Sequence, residues 1–158
     1  MIVIQLIFVA ILCYALISDV RYLRIPNWVS LGLFALFIVY AVDAPLSTSV
    51  FSHAAVAIAV LCGGFVIYLF RWMGAGDIKL LAAVSLWAGP TSVLDFLLFT
   101  SLLGVALALL VRATQTYLLL STWSSAVGVF VPRWVRQGLC PYGIAIVFGA
   151  LMTMQNFF

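Results

Sequence analysis

Apolar residues run along this chain in long blocks separated by short polar breaks. Residues 2–17, 28–42 and 50–70 are apolar with only scattered polar positions. Further blocks cover residues 78–88, which halt at Gly89-Pro90, then 93–111 and 141–158. A helix that crosses a bilayer needs about 20 mostly apolar residues. The pattern therefore predicts an all-α fold: a polytopic membrane bundle of about six helices, with residues 1–158 forming one integral-membrane domain. The first block has neither a charged start nor a small-residue cleavage site, so it is expected as a retained helix rather than a signal peptide. Gly63-Gly64 inside the third block allow a neighbouring helix to pack closely. Residues 43–49 are expected as a turn and residues 71–79, RWMGAGDIK, as a loop.

Composition supports the membrane assignment. The chain is 67% hydrophobic and 7% charged, whereas soluble domains are about 25% charged. Three cysteines, Cys13, Cys62 and Cys140, are too few and too widely spaced for a disulfide scaffold; they are expected as small buried hydrophobes. The acids are Asp19, Asp43, Asp77 and Asp95, and the bases are Arg21, Arg24, Arg71, Lys79, Arg112, Arg133 and Arg136. Counting alternate crossings puts all seven bases on one side, with Asp43 and His53 on the other. Lys and Arg are retained on the cytoplasmic side, so both termini are expected outside. Trp28, Trp72 and Trp87 fall near expected helix ends, where indoles favour the interface. Residues 113–131 are uncharged and long enough to span. A crossing there would put Arg133 and Arg136 outside, so an interfacial or re-entrant segment is expected. No basic tract or stacking platform points to nucleic acid; the expected surroundings are the lipid bilayer.

The candidate chemistry rests on two acids. Asp19 closes the first helix and Asp77 opens the fourth, which puts both at the cytoplasmic membrane edge. Intramembrane carboxylates are costly and mark functional sites. Two that meet share a proton, so one can act as base toward water and the other as acid toward a leaving amine. The plainer alternative is that Asp19 pairs with Arg21 or Arg24 and that Asp77 caps a helix. Gly74 and Gly76 beside Asp77 allow a tight bend and close approach to a ligand. Pro26-Asn27 fix a rigid turn after Asp19, and Lys79 lies on another helix face from Asp77. These five, Gly74, Gly76, Lys79, Pro26 and Asn27, are candidate substrate-contacting positions. Arg21, Arg24, Arg71 and Lys79 would ring the site. No His, Cys and carboxylate spacing suggests a metal site, and no cofactor is expected. His53 stands alone near the outer interface, and Asp95 is expected as a cap or packing residue.

Asp19-Val-Arg21-Tyr-Leu-Arg24-Ile25-Pro26-Asn27 resembles the first aspartate motif of the type IV prepilin peptidases. Gly74-Ala-Gly76-Asp77-Ile-Lys79-Leu80 resembles their second, the GxGD motif shared with presenilin-like intramembrane aspartyl proteases. Pro141-Tyr-Gly143-Ile-Ala-Ile146 is similar to a third element of the short members. The resemblance implies a peptidase that removes the leader from prepilins, with Asp19 and Asp77 as its catalytic pair. The substrates it implies carry a basic leader followed by an apolar helix, cut at the cytoplasmic face of the bacterial inner membrane. Larger members N-methylate the new terminus and carry paired CxxC motifs. The three cysteines form no CxxC, so the chain resembles the peptidase-only type that serves Flp/Tad pili. Two other classes compete. A proton-coupled transporter would carry acids near the midplane and inverted repeats. A non-catalytic pilus-assembly subunit would use the acids only to bind a partner.

Overall fold

The computed structural model describes residues 2–43, 50–120, 134 and 140–157. Helix α1 spans Ile2–Tyr22, α2 Asn27–Asp43 and α3 Val50–Leu69. Helix α4 runs over Ala75–Leu120 but is broken at Gly89, where φ is 62° and ψ is −172°. Helix α5 covers Tyr142–Thr153 and ends in a 3-10 turn at Met154–Asn156. No strand occurs among the described residues. α1, α3 and residues 75–117 of α4 are long and apolar enough to cross a membrane, and α2 is a shorter apolar helix.

The expected stop at Gly89-Pro90 is a reversal of direction. Gly89 takes a positive φ that an L side chain rarely adopts, and Pro90 cannot donate to the preceding turn. Beyond it α4 returns alongside α5. Ser92 Oγ donates to the Asn156 carbonyl at 3.4 Å, Gly149 lies against Thr100, and Gly104 lies against Tyr142. Val111 thereby ends beside Asp77, lining one cavity with it. At the opposite end Phe157 meets Phe8 edge-on, 6.3 Å between ring centroids, and Phe8 in turn packs on Trp87, close to Gly89.

Several boundaries move from expectation. α1 continues through Asp19 to Tyr22 and stops at Leu23, whose φ is 52° and whose N–H donates to the Asp19 carbonyl at 2.8 Å. The expected loop over 71–79 is shorter, because α4 starts at Ala75 and takes Gly76, Asp77 and Lys79 into its first turns. Gly74 accepts the Ile78 N–H at 3.2 Å. Within residues 113–131, positions 113–120 continue α4, and 121–131 lie outside the described residues, as do Arg133 and Arg136. In the polar start of that segment the Thr114 and Thr116 hydroxyls donate back to the Leu110 and Arg112 carbonyls at 2.8 and 3.0 Å, so they find their partners within the helix.

Three side-chain expectations are corrected. Trp87 is 1% exposed and forms the centre of the core, with its indole N–H donated to the Leu33 carbonyl at 3.1 Å. A tryptophan near a helix end goes inside when the chain reverses over it. His53 is not isolated: its ring stacks on Phe37, packs against Gly89, and its Nδ1 bonds the Leu86 carbonyl at 2.8 Å. Cys13 and Cys62 are exposed and Cys140 is half-buried, so none fills the core. The small-residue contact in α3 is made by Gly64, where Ile78 leaves no room for a Cβ, while Gly63 faces open space.

Candidate functional site

At the end of the bundle away from Gly89, two cavities meet. One, about 590 Å³, is lined by Ser18, Asp19, Arg24, Ile25, Pro26 and Asn27 from the α1–α2 turn and by Gly74 to Asp77. The other, about 1010 Å³, is lined by the end of α3, by Ala108, Val111 and Arg112 of α4, and by Cys140 and Tyr142. Asp19, Leu23, Gly74 and Asp77 belong to both linings. The two carboxylates thus stand on the shared wall of the two cavities.

Each carboxylate is held by a helix start. The first N–H groups of a helix have no partner within it. Asp77 is the third residue of α4 and its carboxylate takes the N–H of Gly74, the residue before the helix; this is one half of a capping box. A Cβ on Gly74 would lie 2.9 Å from Asp77 Oδ2. Asp19, 4% exposed, takes its hydrogen bond from another helix: the buried Gly143 N–H donates to Oδ2 at 2.8 Å. No cation compensates either carboxylate among the described residues. The alternative of an Asp19 pair with Arg21 or Arg24 is therefore not what the structure forms, whereas Asp77 does cap its helix while facing the cavities.

The turn between α1 and α2 is fixed onto α4. Ser18 Oγ donates to the Arg24 carbonyl at 2.8 Å. Lys79 Nζ donates to Asn27 Oδ1 at 2.9 Å, which ties α4 to the start of α2. Gly76 meets this turn directly, since its Cβ would sit 3.2 Å from the Ile25 carbonyl oxygen. Neither Gly74 nor Gly76 has a positive φ; each is small to admit a neighbour and not to bend the chain. Of the expected ring of bases, Arg24 lines the smaller cavity and Arg71 the larger, joined there by Arg112. Burial, then the Asp19 and Asp77 carboxylates, push the Cys140 thiol up from its ordinary value. Gly143 and Cys140 were not singled out for a role by sequence reasoning, although the Pro141-Tyr-Gly143 element marked the place.

The family model described as the type IV leader peptidase family matches residues 6–109, a stretch that includes Asp19 and Asp77 and ends before Gly143. No curated protein and no solved structure matches the chain.

Proposed function

The chain belongs to the type IV leader peptidase family, and from that premise we propose that it cleaves prepilin leaders with Asp19 and Asp77 as an aspartyl pair. One carboxylate takes a proton from water, and the water oxygen adds to the scissile carbonyl. The other, protonated, donates its proton as the C–N bond breaks, so that the leaving nitrogen departs as an amine. The observation that carries this reading is the shared wall: two acids remote in sequence face the same two cavities, each held by a backbone N–H.

The substrate proposed is a prepilin with a basic leader followed by an apolar helix. Arg24, Arg71 and Arg112 at the cavities argue against charge steering of that leader; recognition through extended backbone along Gly74 to Gly76 fits better. In this reading the site end faces the cytoplasm across the inner membrane, which the one-sided Lys and Arg of the sequence support through the positive-inside rule. The six apolar segments would then cross alternately, with both chain ends outside.

The test is co-expression of the full chain with such a prepilin in membranes, with leader removal followed by mass. Wild type is expected to shorten the prepilin, while Asp19→Asn and Asp77→Asn, at equal protein levels, each leave it uncut. An uncut prepilin with wild type, or full cutting by either variant, would overturn the reading in favour of a binding or transport role.

A further inference from the structure

Asp77 receives its N–H from Gly74 of its own helix start, but Asp19 cannot do the same. It lies in the last turn of α1, where a helix presents unpaired carbonyls and the negative end of its dipole. Its carboxylate therefore needs a donor from elsewhere. Helix α5 has the complementary need: Pro141 precedes its first turn and provides no side-chain cap. The unpartnered N–H of Gly143 and the buried carboxylate of Asp19 satisfy one another at 2.8 Å. Residue 143 has no room for a side chain. A Cβ there would lie 2.6 Å from Asp19 Oδ2, 2.9 Å from its Cβ and 3.0 Å from its Cγ. The whole Asp19 side chain would have to move, because the contact is not confined to a flexible tip.

We infer that Gly143 is the positioning residue for Asp19, and that α5, docked on α4 through Gly104 and Gly149, sets where that carboxylate stands. The inference rests on the aspartyl reading of the site. Asp77 is placed by local helix geometry, while Asp19 is placed only once α5 has docked.

The experiment uses the purified full chain in lipid nanodiscs with a prepilin substrate. A displacement near 1 Å in a reacting group costs about 100-fold, so Gly143→Ala is expected to lower kcat by about that factor. KM is expected to stay within about threefold, because the loss falls on the transition state. Trp87→Ala is the structural control. Its indole is buried at the Gly89 end of the bundle, away from Asp19, so its loss should lower the melting temperature while kcat, measured well below melting, stays near wild type. If Gly143→Ala does not accumulate, Gly104→Ala decides: its Cβ would press Tyr142, next to Gly143, at 3.3 Å. A kcat loss of about tenfold without a KM change supports the inference, and an unchanged kcat overturns it. A fully active Gly143→Ala, or kcat losses in both alanine variants that merely track their melting temperatures, would overturn it too. Asp19→Asn separates the two failures. If that variant is dead while Gly143→Ala is fully active, only the positioning role falls. If wild type cuts nothing, the aspartyl reading falls with it.

Discussion

At the Gly89 end of the bundle, Trp87 is packed by Phe8, Tyr40 and Phe37, with ring centroids 4.9, 5.5 and 5.4 Å away. At the other end, Asp19 and Asp77 face two cavities, and each carboxylate lies against a glycine near a helix start, Gly143 and Gly74. Both ends contain a chain reversal and close contacts at glycine, yet the glycines serve different purposes. Gly89 supplies a backbone conformation, and His53 fills the space beside it. Gly74 and Gly143 supply room for carboxylates. The aromatic end buries large side chains with tilted and edge-on geometry, which holds the helices together. The cavity end leaves volume unfilled where two acids stand. The stabilising contacts and the candidate chemistry are thus separated along the bundle axis, so an open site does not weaken the packing that supports it.

The sharpest test of this division is chemical. Asp19→Asn or Asp77→Asn should lower cleavage by about 1000-fold or more, since acid and base act as one unit, with the melting temperature in detergent nearly unchanged. A large loss of melting temperature in either variant would show that the cavity end also carries stability. The converse substitution is Trp87→Ala. Removing this buried indole should cost about 3–5 kcal/mol, seen as a lowered melting temperature, with cleavage retained well below it. If instead the folded variant fails to cut, the two ends are coupled.

A smaller effect sharpens the picture of the cavity end. The raised Cys140 thiol holds less thiolate at neutral pH than an ordinary cysteine, and alkylation proceeds through the thiolate. Alkylation of Cys140 by a maleimide, followed by mass, should therefore be slow at neutral pH and speed up as pH rises. The double variant Asp19→Asn/Asp77→Asn removes the negative charge that the pair holds between them and should raise the rate at fixed pH. Equal rates in wild type and the double variant would mean that the carboxylates do not act on Cys140. The smallest effect is expected from Lys79→Met, which breaks an exposed hydrogen bond to Asn27. Such a bond contributes about 1 kcal/mol, so a slightly lower melting temperature with normal kcat is expected. A loss of kcat comparable to that of the aspartate variants would give Lys79 a role in the reaction.

Apolar blocks and their breaks determined the helices, because a segment in lipid must satisfy its backbone internally. Gly89-Pro90 was readable as a break for the same local reason: one residue needs a conformation glycine tolerates, and the next lacks an N–H. Asp19 and Asp77 stood out because charge is scarce in this chain and expensive in a membrane. The sequence could not show that Trp87 is the core centre rather than an interface anchor, since helix-end position alone does not say which face a neighbour covers. Nor could it show that His53 closes onto Gly89 or that Gly143 holds Asp19. Those contacts join residues far apart in the chain, and only the docking of α3 and α5 against the two arms of α4 brings them together. Local propensity and hydropathy act within a helix, whereas partners for a buried carboxylate or an unpaired N–H are assigned by how the helices pack.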